Sequence, residues 1–374
     1  MATETTLETF TLGPFGSVPR IWTGLWQLSG PAWGSAPATK IRAEMVKYAV
    51  QGYTAFADHY GSSEVLFGQF RQTLPAEQFT LGATKWCVFQ PLVPTPAVVR
   101  AVVQERASRL QTQKIDLLQF HWQNYDDKNY LRALQILCQL RYEGVISTIG
   151  LCNFDSVRTD VICTELGPGA ISTNQVQFSI LDTRPLHGMN HVCAKHKLKL
   201  LTYGTLCGGF LSDQWLNLPE PDSYSESSNL TPSQRKYLDV ILKAWGDWNL
   251  FQDLLRVLRV IGDRHGGLSI ANIATRWVLD HPFVGAVLIG PSRNSSSPPL
   301  ARKGTGGKKR SVTDDNFVCI PGARLGLTDH TADNRRVFGF RLTDADRADI
   351  QAVSNRSNTS VMITTVGDCG TEYR

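Results

Sequence analysis

Residues 115–151 read IDLLQFHWQNYDDKNYLRALQILCQLRYEGVISTIGL. An apolar run, Ile115 to Phe120, stops at His121 and Trp122; a polar turn follows, then apolar residues at helical spacing from Tyr130 to Tyr142, then a β-branched run from Ile146 to Leu151. Strand, helix and strand in that order make a βαβ unit, the building block of a parallel sheet.

Working outward, the same alternation fills the chain. Strands are expected at Ile21 to Trp26, Tyr53 to Ala57, Phe79 to Thr84, Ile115 to Phe120, Ile146 to Leu151, Ile171 to Val176, Leu198 to Tyr203 and Val284 to Ile289. Helical periodicity lies between them, as in Lys40 to Val50, Pro96 to Leu110 and Ile270 to Leu279. Eight parallel strands with eight crossovers close into a (β/α)8 TIM barrel, an α/β fold that takes residues 1–374 as a single domain. Two stretches break the rhythm. Residues 213–234 read as a long loop after the seventh strand, on the face where barrels build ligand sites. Residues 291–321, rich in Ser, Pro, Gly and Lys, read as a disordered low-complexity insertion after strand eight. The GTGGKKR within it has no Ser or Thr after Gly-Lys and no strand or helix around it, so it is not a phosphate loop.

Composition narrows the function classes. No stretch approaches the roughly 20 apolar residues of a membrane span, and Met1 to Leu12 is not a secretory leader. Eight cysteines are scattered without a C-x-x-C pair, which fits reduced thiols and a cytoplasmic location. Most of the net charge of +5 falls within 291–321, where Arg293, Arg302, Lys303, Lys308, Lys309 and Arg310 face Asp314 and Asp315. That is a local charge run and not a nucleic-acid-binding stripe. No nucleic acid, membrane or metal partner is expected, and the oligomeric state stays open.

Function in this fold sits at the carboxyl ends of the strands. Tyr60 follows strand two, Lys85 ends strand three, His121 ends strand four, and Asn153, Gln175 and Tyr203 end strands five, six and seven. Singly, each has an ordinary reading: a surface tyrosine, a solvated lysine, a core histidine bonded to backbone. Together they form a set.

Ala57-Asp58-His59-Tyr60-Gly61, the lysine after strand three, Asp116-Leu117-Leu118-Gln119-Phe120-His121 and Gly150-Leu151-Cys152-Asn153-Phe154 resemble successive motifs of the aldo-keto reductases. The resemblance begins at Gly24-Leu25-Trp26 and covers about residues 18–290 and 322–350. It implies a small-molecule carbonyl substrate and NADP(H), bound without the glycine fingerprint of a Rossmann fold. By resemblance Tyr60 is the proton donor, Lys85 the ammonium that favours its phenolate, and His121 a donor to the substrate oxygen, with Trp122 lining the pocket. Gly24 and Trp26 would border the cofactor, Cys152, Asn153 and Gln175 would face its carboxamide, and Tyr203 would stack on the nicotinamide. Gly204 to Gly209, including Leu206, would let backbone approach the pyrophosphate, while Arg324 would grip the 2′-phosphate and Asn334 meet the adenine.

The pattern breaks twice. The family's aspartate, five residues before the tyrosine, falls at Ala55, and the run from Gly52 to Gly61 is two residues short. Asp58 is the remaining carboxylate that could face Lys85. The insert separates Leu288-Ile289-Gly290 from Gly322-Ala323-Arg324, and Ile320-Pro321-Gly322 competes for the same strand end. Both irregularities read as misplaced splice junctions, which transcript sequencing tests. Two functions follow: NADPH-dependent reduction of an aldehyde or ketone, in secondary metabolism, or a catalytically impaired cofactor-binding barrel acting as redox sensor or partner subunit.

Overall fold

The computed structural model describes residues 6–29, 37–59, 61–222, 230–290 and 330–374. The chain opens on an antiparallel hairpin, β1 (Thr9–Thr11) and β2 (Ser17–Pro19). Eight parallel strands follow: β3 (Ile21–Gly24), β4 (Ala55–His59), β5 (Leu81–Val88), β6 (Ile115–Trp122), β7 (Ile146–Cys152), β8 (Thr173–Gln177), β9 (Lys199–Tyr203) and β10 (Val284–Ile289). They close in the order β10-β3-β4-β5-β6-β7-β8-β9, as the sequence leads one to expect of a TIM barrel. The slot between β9 and β3 is filled by Val284–Ile289, with Val287 paired to both Thr202 and Ile21; Ile320 to Gly322 lies outside the described residues.

Crossover helices α1 (Ala38–Val50), α2 (Ser62–Arg71), α3 (Pro96–Arg109), α4 (Asn129–Tyr142), α5 (Ser156–Leu166) and α6 (Met189–His196) alternate with the strands. The stretch after β9 is only partly the loop expected there: α7 (Pro232–Asp239) starts at a capping box between Thr231 and Gln234. Then come α8 (Trp248–Arg264) and α9 (Ile270–Leu279), and after the insert α10 (Thr331–Arg335) and α11 (Asp344–Ser354). The expected insertion at 291–321 lies outside the described residues.

Period-two alternation sorts the strand side chains into two environments. On β6, Leu118, Phe120 and Trp122 point outward into the core shared with the helices, whereas Leu117 joins Trp22, Ala55, Ala57, Leu81, Ala83, Leu201, Ala286 and Leu288 in the lumen. The hairpin seals the amino-terminal end. Its Leu12 and Val18 are buried in the lumen cluster, and Phe10 packs on Trp22 with ring centroids 6.3 Å apart. A second core lies under α7 and α8. Asp247 caps α8 by accepting from the Leu250 amide at 2.8 Å, and Phe251, Leu254, Leu255, Leu258 and Ile261 form its buried stripe. Each such side chain contributes about 1.5–3 kcal/mol of burial, enough to hold an accessory helix that no strand pairing anchors.

Candidate functional site

The strands β5 and β6 run past the ends read from sequence, so Lys85 and His121 lie within their strands. In register, Lys85 faces Gln119 and Cys87 faces His121. Lys85 is 8% exposed and His121 2%. Each belongs to the inward set of its strand, while Trp122 points outward into the helix-side core, where its indole Nε1–H donates to the Asn124 carbonyl at 2.7 Å. Trp122 therefore does not line the pocket. Phe89, exposed just beyond β5, takes that place, with its ring centroid 5.6 Å from that of His121.

His121 is held in one protonation state. Its Nδ1 lies 2.9 Å from the Cys152 carbonyl oxygen, which can only accept, so Nδ1 carries the hydrogen. Burial pushes the imidazole down to about 4, and the nearby charges of Lys85 and Arg374 push the same way against the Cys152 bond. The ring is neutral near pH 7, and its buried Nε2, which has no hydrogen-bond partner among the described residues, is left as the acceptor. The donor role expected from sequence calls for the other tautomer.

Cys152, Asn153, Gln175 and Tyr203 come together at the carboxyl ends of β7, β8 and β9. Cys152 pairs with Gln175 in register, and the Asn153 amide donates to the Gln175 carbonyl at 2.9 Å. Asn153 adopts a φ of 58°, a left-handed conformation that asparagine tolerates better than most residues and that ends the strand. Tyr203 Oη donates to Asn153 Oδ1 at 2.9 Å, so the amide NH2 of Asn153 is the end left for a ligand. Gly24 ends β3 among the lumen-facing positions and Trp26 follows it, 41% exposed. In the turn after β9, Gly204, Gly208 and Gly209 all have positive φ, and Leu206 accepts from the Gly209 amide at 2.8 Å. Here α7 leans in: a Cβ on Gly204 would collide with Tyr237 Oη, whereas Gly209 faces open space.

The segment Asp368–Arg374 lies across the mouth. Tyr373 Oη accepts from Lys236 Nζ at 2.8 Å and sits 3.1 Å from Tyr203 Oη, and its ring stands edge-on to His121 at 6.1 Å. Glu372 makes a two-bond pair with buried Arg184 at 2.8 and 3.0 Å, and Arg184 also pairs with Asp182. Arg374 lies over the Tyr125 ring and donates to the Asn153 carbonyl; burial lowers its guanidinium to about 10. A tail contact across some 200 residues leaves no periodic trace in a sequence.

Four expected positions remain. Tyr60 and Arg324 lie outside the described residues. Asp58 is placed by its backbone in β4, its side chain outside what is described. Asn334 sits on α10, whose contacts run to Tyr53 through Thr331 and to Ser269 and Asn272 through Asp333. On β4 the inward positions are Ala55 and Ala57, so neither the position counted back from Tyr60 nor the one that follows Phe56 along the strand carries a carboxylate. No group of three or more His, Cys, Asp or Glu able to hold a metal occurs among the described residues, and none of their helices is long and apolar enough to cross a membrane.

Comparison with known proteins follows this geometry. The chain is 26% identical over 200 residues to the uncharacterized oxidoreductase YqkF of Bacillus subtilis, a match covering 54% of the chain and 58% of that protein. It is 25% identical over 281 residues to the aldo-keto reductase YhdN of the same organism, covering 72% of the chain and 80% of YhdN. Its fold matches that of an aldo-keto reductase from Klebsiella pneumoniae solved in complex with NADPH, with a TM-score of 0.62 at 17% identity over 93% of this chain and 95% of that one. The model of the Aldo/keto reductase family matches residues 20–298, and the chain belongs to that family.

Proposed function

We propose that this chain reduces the carbonyl of a small-molecule aldehyde or ketone with NADP(H), in the cytoplasm and in the service of secondary metabolism. The observation that carries the reading is the neutral, buried His121 with its open Nε2 beside Lys85 at the carboxyl ends of β5 and β6. Family membership and the NADPH complex of the Klebsiella protein support the cofactor.

The donor set suits that cofactor. The amides of Asn153 and Gln175 match a carboxamide, and the open space beside Gly209 lets a phosphate come close to the turn. When bound, the cofactor supplies a hydride to the carbonyl carbon. The chain's own residues must then manage the proton. Because Nε2 of His121 is an acceptor, it holds the hydroxyl hydrogen of the alcohol, or of the group that delivers it, and does not polarise the carbonyl by donation. The proton on the oxygen comes from elsewhere; Tyr60, aided by the Lys85 ammonium, is the assigned source.

A second reading draws on Ala55 and Ala57. With alanine at both described inward positions of β4, 55 and 57, the barrel binds the cofactor but turns over feebly, as a redox sensor or partner subunit would. One pair of measurements separates the two: NADPH binding by fluorescence, and aldehyde-dependent NADPH oxidation across a substrate panel. Binding with turnover supports the reductase; binding without turnover, unchanged in Ala57→Asp, defeats it.

A further inference from the structure

One rung below His121, the lumen is polar where barrel interiors are usually filled with branched apolar side chains. Lys85 on β5, Gln119 on β6, Gly150 on β7 and Thr173 on β8 are consecutive partners in register and form a belt across four strands. Gln119 alternates with the outward Leu118 and Phe120 and so points inward. It is 0% exposed, and neither Oε1 nor Nε2 has a hydrogen-bond partner among the described residues. The hydroxyls of Thr173 and, one rung lower, Thr148 are buried and unpartnered as well. Gly150 makes room for this: a Cβ there would collide with Thr173 Oγ1. On β4, next to β5, the inward positions are the small Ala55 and Ala57, while Trp22, Leu201, Ala286 and Leu288 fill the lumen from the strands beyond.

A buried amide or hydroxyl left unmatched costs about 1–3 kcal/mol, and this belt holds several. Polar recesses with two or more convergent partners hold ordered water; apolar ones stay dry. We propose that the lumen below His121 holds ordered water centred on the Gln119 amide, bridging it to Thr173 Oγ1 and to Lys85 Nζ, and that Gln119 is thereby a positioning residue for Lys85. Water and a neutral amide then occupy the place where the family's aspartate would stand, and the alanines of β4 supply the volume. The assignment of Lys85 rests on the reductase reading above; the hydration site does not.

The test uses the full chain. A crystal structure fine enough to show ordered water is expected to place one within about 3.2 Å of the Gln119 amide and of Lys85 Nζ, and Gln119→Leu is expected to remove it. A dry lumen, or an amide bonded directly to protein atoms, overturns the site. In kinetics, Gln119→Leu is expected to lower kcat about 10-fold with KM unchanged and to move the pH profile of kcat, whereas Gln119→Glu, which keeps an acceptor, restores it. Unchanged kcat and pH profile in Gln119→Leu overturn the positioning role. Should Gln119→Leu not fold, Thr173→Val removes the other anchor and is read in the same way. If the unaltered chain has no turnover with any carbonyl, the reductase reading fails and the positioning role with it, while diffraction still decides the water.

Discussion

The imidazole of His121 donates its Nδ1 hydrogen to the main-chain carbonyl of Cys152, so the backbone of β7 decides which nitrogen of the β6 histidine faces the pocket bare. Nitrogen NMR of labelled protein is expected to show Nδ1 protonated and Nε2 unprotonated at pH 7, unchanged down to about pH 5. His121→Ala is expected to lower kcat about 100-fold, the lower range for loss of a group that handles a proton. A protonated Nε2 at pH 7 would refute the acceptor role.

Acid stability has its own signature. The folded imidazole of His121 is pushed down to about 4 from 6.5, so the unfolded chain takes up the proton first as pH falls. This contribution is whole above about pH 6.5, is lost progressively between 6.5 and 4, and amounts to at most about 3 kcal/mol. Burial lowers His281 in the same way and adds to the loss. Urea unfolding at pH 7 and pH 5 is expected to show a lower midpoint at pH 5, with His121→Gln narrowing the difference.

The mouth segment is fastened at Glu372. Arg184 is almost wholly buried between Asp182 and Glu372, and removing one carboxylate leaves an under-compensated cation. Glu372→Gln is expected to destabilise the protein by about 1–3 kcal/mol, read as a drop in Tm. Tyr373→Phe, which keeps the ring but loses the bonds to Lys236 and Tyr203, is expected to leave Tm within a degree or two and to alter KM.

Gly204 is a backbone position and a packing position at once. With φ at 71° and Tyr237 Oη where a Cβ would go, Gly204→Ala is expected to cost more than the ~1 kcal/mol of the left-handed conformation alone. Adding Tyr237→Phe recovers part of that cost. Full recovery would mean that the contact, and not the backbone, sets the preference for glycine.

The barrel was legible because strand periodicity and helix periodicity are local: Ile115 to Leu151 alone contains both, and Val284–Ile289 was bounded to the residue. Strand ends were less so. Lys85 and His121 were placed at the tips, yet ladder bonds continue to Val88 and Trp122, because pairing with a neighbour extends a strand beyond its apolar run. That extension also turned Trp122 outward, since facing is set by parity along the strand. Motifs found Asn153, Gln175 and Tyr203. Nothing local announced that Lys236 and Tyr373 would meet over Tyr203, or that the Cys152 carbonyl would choose the tautomer of His121.

Val284–Ile289 pairs with both neighbours, so the ring is shut by residue 289. The helices described later in the chain, α10 and α11, are attached to a ring already closed. Removing α11 would strip Ile350 and Val353 from the second core and leave every ladder bond of the barrel in place.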